Sequence, residues 1–327
     1  MRDLYKRLTR IGFDRPFVQN FFLPDWWNDE LAEVPANRAL AEMAIARQLG
    51  LRLDSLRNPD QDLVLPSVVN FRLKRNKGTT PEEVLPALHV AQRAAKLVAG
   101  LPLRVGGYEG PLTAAEARDA ILGRDGRVDL RTLTRFCWDR GIIVLHLATL
   151  PGLGKKLDGL AMFCEERPVI VLASARKGIP WLAFHLAHEL GHLLLGHVKP
   201  GDPPLVDRDL GEADDDQQER EADEFACQVL TGHSDGVQFR IEPDMKPDEF
   251  AERAVSLGMK EATDPGTVVL CCARSSGAWA IARVVLKNLG LNEGAHQVIA
   301  TELHSRLEGV EIPAAAERFM EILSTPV

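Results

Sequence analysis

The chain has 327 residues, 26% of them charged and 45% hydrophobic, with a net charge of −8. That length holds two or three domains and a sizeable core. The absence of any apolar run of 18 residues excludes a membrane-spanning helix, so no membrane partner is expected. Five cysteines, odd in number and scattered apart from Cys271 and Cys272, point to reduced thiols. With no apolar secretion segment in Met1 to Arg7, a cytoplasmic location is expected.

Charge is unevenly placed. Residues 1–110 carry 16 Lys+Arg against 13 Asp+Glu, whereas residues 111–245 carry 15 against 23. Residues 1–108 read as a helical N-terminal region, with strong helix formers from Arg38 to Leu49. Its one basic cluster, Arg72, Lys74, Arg75 and Lys77 beside Phe71, reads as a solvated turn. A phosphate contact is the alternative, which makes DNA a candidate partner, but the basic stripe of a DNA reader is missing. Gly100 to Gly110 reads as a linker.

Residues 109–245 carry the chemistry. After an amphipathic segment from Leu130 to Arg140 come three apolar runs: 141–147, 158–164 and 168–173. They predict a small three-stranded sheet packed on the following helix, and an edge of such a sheet could pair with an extended peptide. That helix contains His188-Glu189-Leu-Gly-His192. Histidines four apart share one helical face and can bind one zinc ion, and Glu189, about 100° round the helix, is placed to act as general base.

Catalytic zinc usually takes a third protein ligand. The helical stretch Gln217 to Leu230 offers Glu219, with Asp223 four residues on and on the same face. Glu219 is the expected ligand, and Asp223 is expected to hydrogen-bond a ligand histidine and fix its tautomer. Glu221, about 200° round from Glu219, is the reserve ligand. His197 is read as packing the helix end, and His185 as packed or as lining the cleft. Cys137, Cys164 and Cys227 read as core, with a thiol blocking the metal as the alternative. The acidic, proline-rich run from Asp202 to Glu224, including Asp214, Asp215 and Asp216, reads as an exposed loop between the two ligand helices. For an oxyanion donor the sequence offers only guesses (His233, His146 and Arg176), since neither Tyr5 nor Tyr108 lies near the motifs. Residues 246–327 read as a helical C-terminal region without chemistry, with helices predicted over 293–307 and 313–323. The fold expected of the whole is α+β, mostly helical.

From about Leu112 to Leu230 the chain resembles the ImmA/IrrE family of bacterial metallopeptidases. The likeness rests on the Gly141 to Val144 strand, His-Glu-Leu-Gly-His-Leu-Leu-Leu-Gly-His (188–197) and Glu-x-Glu-Ala-Asp-x-Phe-Ala (219–226). It implies zinc at His188, His192 and Glu219, with Glu189 as base. It departs after the second motif, where the family commonly has Leu-Leu-Met-Pro and this chain has Val229-Leu230-Thr231-Gly232-His233. Family members cleave helix-turn-helix repressors in stress, mobile-element or phage responses. The resemblance therefore implies a protein substrate of that kind, and within the helix-turn-helix-like region 1–108 the stretch from Arg38 to Leu56 resembles the end of an Xre-type helix-turn-helix domain. A DNA-binding regulator or antitoxin-like protein with a peptidase-fold sensor domain is the alternative.

Overall fold

The computed structural model describes residues 1–66, 72–73, 81–151, 157–174, 176–207, 217–242, 244–313, 316 and 320. Much of the basic cluster, the Asp214 to Asp216 run and most of the predicted 313–323 helix lie outside them. The N-terminal region holds α1 (Arg2–Arg10), α2 (Arg15–Phe21), α3 (Pro35–Leu49), α4 (Leu53–Arg57), strand β1 (Arg72–Leu73) and α5 (Pro81–Ala99). Next come α6 (Ala114–Asp125), α7 (Leu130–Asp139), β2 (Ile143–His146), β3 (Gly159–Cys164), β4 (Arg167–Leu172) and α8 (Ile179–Leu194). The remainder is β5 (Leu205–Asp207), α9 (Gln217–Thr231), α10 (Pro247–Lys260), α11 (Pro265–Ser276), α12 (Trp279–Asn288) and α13 (Ala295–Leu307).

The expected α+β architecture is present, and β2, β3 and β4 fall where the apolar runs placed them. Two short strands extend that sheet, giving the order β1-β5-β3-β4-β2. Strand β4 pairs antiparallel with β3 and parallel with β2. On its other side β3 pairs antiparallel with β5 over Gly159 to Ala161. The two added strands, of two and three residues, are too short to show an alternating pattern in the sequence.

Side chains alternate across the sheet and feed two cores. Ile143, Leu145, Leu160, Met162, Val169 and Val171 join the N-terminal helices, including Leu88, Ala91 and Ala95 of α5. Val144, Ala161, Phe163, Ile170 and Leu172 face α6 to α9, where Leu182, Leu186, Leu190 and Phe225 pack against them. A third cluster joins α10, α11 and α12 around Phe250 and Val268.

Local chemistry fixes the helices that position the site. Reciprocal capping boxes at Thr113 with Glu116 and at Asp129 with Thr132 start α6 and α7. Helix α8 has Pro180 in its first turn and no side-chain cap; the backbone N–H of Ile179 donates instead to the carbonyl of Leu291. Nearly the whole of α8 is buried, as expected of a helix that is apolar all round. Helix α9 crosses it at Gly191, where a Cβ would lie 3.2 Å from the Phe225 side chain.

Candidate metal centre

Helices α8 and α9 bring the predicted residues together. His188 and His192 sit one turn apart on the face of α8 that α9 covers, and both are buried. Their Nε2 atoms are 3.1 Å apart. Glu219, in the first turn of α9, places one carboxylate oxygen 3.4 Å from His188 Nε2 and the other 3.1 Å from His192 Nε2. Among the described residues these three form a group able to hold a metal ion, and no cysteine joins it.

The far side of each imidazole is tied back to a carboxylate. His188 Nδ1 lies 2.9 Å from Asp223 Oδ1. A carboxylate only accepts, so Nδ1 carries the proton and the neutral ring presents the Nε2 lone pair to the centre. Asp223 Oδ2 accepts from Arg274 of α11 at 2.7 Å. Burial alone would raise the Asp223 pKa, but the hydrogen bonds from His188 and Arg274 and the Arg274 charge outweigh it and hold the carboxyl below its usual range.

His192 is fixed through one more step. Its Nδ1 is 2.9 Å from Nδ1 of His197, whose Nε2 is 3.0 Å from Glu221 Oε2. Glu221 can only accept, so His197 donates from Nε2 and accepts at Nδ1. His192 must then donate from Nδ1, which again leaves its Nε2 lone pair facing Glu219. Gln217 donates to the other Glu221 oxygen at 2.7 Å. Thus Glu221, the reserve ligand, stands outside the group and anchors His197, and His197 does more than pack a helix end. Spacing along one helix could not show this, because Gly196, with φ at 75°, turns the chain and swings His197 back under His192.

The donor set fits a tetrahedral ion. Ligands about 2.05 Å from a tetrahedral centre lie about 3.3 Å apart, and the three atom pairs of this group span 3.1 to 3.4 Å. Two imidazoles and one carboxylate match the ligand set of several catalytic zinc sites.

Glu189 is buried with its carboxylate against β3. A Cβ on Gly159 would stand 2.0 Å from Glu189 Oε1, so only glycine leaves room there. Because β5 flanks β3 over Gly159 to Ala161, β3 is an inner strand, and a peptide cannot pair with it at that point.

The guessed oxyanion donors fall elsewhere. His146 and Arg176 line a separate cavity, and His233 pairs with Glu261 at 3.5 Å, half exposed. Tyr108, distant in sequence, is brought to α8: it packs edge-on to Phe163, and its hydroxyl donates to the Leu193 carbonyl at 3.4 Å. Arg274 gave no sequence signal, since α11 reaches Asp223 only through the tertiary fold. Cys227 is buried, which pushes its thiol up to about 11, as befits a packed and unreactive cysteine.

Residues 142–235 match the family model of the M78 peptidases, described as the IrrE N-terminal-like domain. That stretch contains β2 to β5, α8 and α9 and therefore the whole His188, His192 and Glu219 group. It supports a relation to the ImmA/IrrE metallopeptidases for this part of the chain. No curated protein and no solved structure matches the chain.

Proposed function

We propose that the chain is a zinc endopeptidase of regulatory type that cuts a specific protein partner. The observation that carries this reading is the convergence of two Nε2 lone pairs and one carboxylate, with His188 oriented from behind by Asp223 and His192 by His197, which Glu221 anchors. The match of residues 142–235 to a peptidase family supports it.

His188, His192 and Glu219 would hold the ion. Bound there, zinc would polarise the scissile carbonyl and bring the pKa of a water near 7. Glu189 is the one further acid at this turn of α8, and its carboxylate is held against the glycine backbone of β3. It would take a proton from the attacking water and deliver it to the amine nitrogen as the C–N bond breaks. Asp223 and His197 keep both rings in the tautomer the ion requires.

The partner we propose is a helix-turn-helix transcriptional repressor, removed by cleavage in a stress or phage-defence response. The test is incubation of the full chain with a repressor encoded beside it, with and without chelator. Cleavage should need the metal and should vanish in Glu189→Gln, which retains about one zinc per chain. His188→Ala and His192→Ala should lose the ion. Full metal content in the double histidine variant would remove the proposed centre altogether.

A further inference from the structure

A second polar cavity lies outside the metal centre, where the segment leading from β4 into α8 meets the start of α13. Its volume is about 120 Å³, whereas one water needs only roughly 10–15 Å³. His146 and His296 line it, and both are more than nine-tenths buried, at 3% and 7% exposed.

The hydrogen bonds fix the proton on the first ring. His146 Nε2 lies 3.1 Å from the Ser174 carbonyl, which only accepts, so Nε2 carries the hydrogen. Burial keeps this ring neutral, with its pKa down at about 4. Its Nδ1 therefore presents a lone pair to His296 Nδ1, 3.1 Å away, and His296 must donate there.

Positive potential reaches the cavity from two sides. Arg176 and Lys177 stand at its rim. The Arg176 guanidinium is set over Trp181, 3.9 Å from the ring centroid, and Trp181 stacks on Trp279. Helix α13 begins after Gly294, which is left-handed (φ 89°) and gives no side-chain cap, and Gly294 and Gln297 both face the cavity. The N-terminal end of this 13-residue helix favours an anion. One carboxylate, Glu293, also lines the rim. Beside a fully deprotonated anion it would only repel, but beside an oxyanion that carries a hydrogen it is an acceptor.

We propose that this cavity binds a hydrogen phosphate group, with Arg176, Lys177 and the start of α13 holding its oxygens and Glu293 accepting its P–OH. Sulfate has the same shape and no proton at neutral pH, so it satisfies the donors and leaves Glu293 opposed. The site is also the joint by which the C-terminal region grips the metal helix. The Ile179 N–H donates to Leu291, the Ala295 N–H donates to the Lys177 carbonyl, and Gly178 pairs with Gly294. Occupancy would tighten this joint at the first turn of α8, ahead of His188.

The test is a titration of the full chain with inorganic phosphate at constant ionic strength near neutral pH, read from backbone amide NMR shifts and calorimetry. Saturable shifts are expected at residues 176–179 and 293–297, with sulfate at least tenfold weaker. Arg176→Gln with Lys177→Gln should weaken phosphate at least tenfold, while the unliganded chain keeps its cooperative thermal transition, lowered by about 2–4 °C through loss of the Arg176–Trp181 contact. Glu293→Gln should erase the preference over sulfate. Glycerol phosphate, with its second pKa at about 6, carries no P–OH at neutral pH and should bind as weakly as sulfate; binding as tight as that of phosphate would overturn the role of Glu293. Shifts that do not saturate, equal binding of sulfate, or an undiminished response in the double variant would overturn the proposal.

Discussion

The carboxylates behind the two imidazoles can be ranked by their distance from the metal. Asp223 contacts His188 directly, and both its oxygens are engaged, one by the imidazole and one by Arg274. In Asp223→Ala the His188 Nδ1–H, on a residue 1% exposed, is left without its acceptor. A buried donor stranded in this way costs about 1–3 kcal/mol. Loss of such a supporting carboxylate typically weakens metal affinity about 10–100-fold, which at about 1.36 kcal/mol per tenfold is the same range. Asp223→Asn keeps an acceptor for His188 but turns an NH₂ toward Arg274, so it should fall between wild type and alanine. Glu221 acts one residue farther away, through His197, and its side chain is 41% exposed; Glu221→Ala should cost less than about tenfold. Glu219→Ala removes a donor atom and should exceed both. A competition titration against a chromophoric zinc chelator reads all four. Asp223→Ala within twofold of wild type, or Glu221→Ala as the most severe variant, would refute the hydrogen-bond assignment.

Gly159→Ala should bind zinc normally and lose at least about 10²-fold in peptide cleavage, because the new Cβ, 2.0 Å from Glu189 Oε1, must push the base aside by an ångström or more. Unchanged cleavage with bound metal would show that Glu189 is not held there during catalysis. His146 gives an acid-sensitive contribution to stability. The unfolded chain takes up a proton near 6.5 that the folded site refuses until about 4, so stability falls as pH drops through that window. In His146→Gln, urea midpoints measured between about pH 7 and 4.5 should decline less than in wild type; parallel declines would sink the claim.

The residues of the candidate metal centre were legible because each lies on a helix whose period sets the spacing: four residues from His188 to His192, and four from Glu219 to Asp223. That the two helices meet at Gly191 and Phe225 was not legible, nor were the side chains brought in by turns and distant elements. His197 returns through the left-handed Gly196, Arg274 arrives from α11, and Tyr108 from the chain before α6. Apolar runs located β2, β3 and β4, since buried strands read as continuous hydrophobic stretches. Strands β1 and β5 are defined by partners distant in sequence, and no local pattern marks them. Gly159 carried no signal either: its lack of a side chain matters only because Glu189 occupies the space.

The regulatory part of the proposed function must be tested with the sheet in mind. A natural experiment is removal of residues 1–105, expected either to release non-selective cleavage or to abolish recognition of the partner. The packing leads to a different outcome. Ile143, Leu145, Leu160, Met162, Val169 and Val171 are at most 4% exposed, and they are buried against the N-terminal helices. At about 1.5–3 kcal/mol for each fully buried side chain, this one face of the sheet contributes on the order of 10 kcal/mol, comparable with the whole stability of an ordinary domain. The truncated chain should therefore aggregate or lose its cooperative thermal transition, whatever the N-terminal region does for selectivity. A soluble, zinc-binding fragment with a sharp transition would refute this. Substitutions at its exposed apolar side chains, such as Trp26 and Leu40 at 58% and 54%, leave the shared core intact. If the region selects the partner, those variants should lower cleavage of the repressor while zinc content and melting temperature stay at wild-type values.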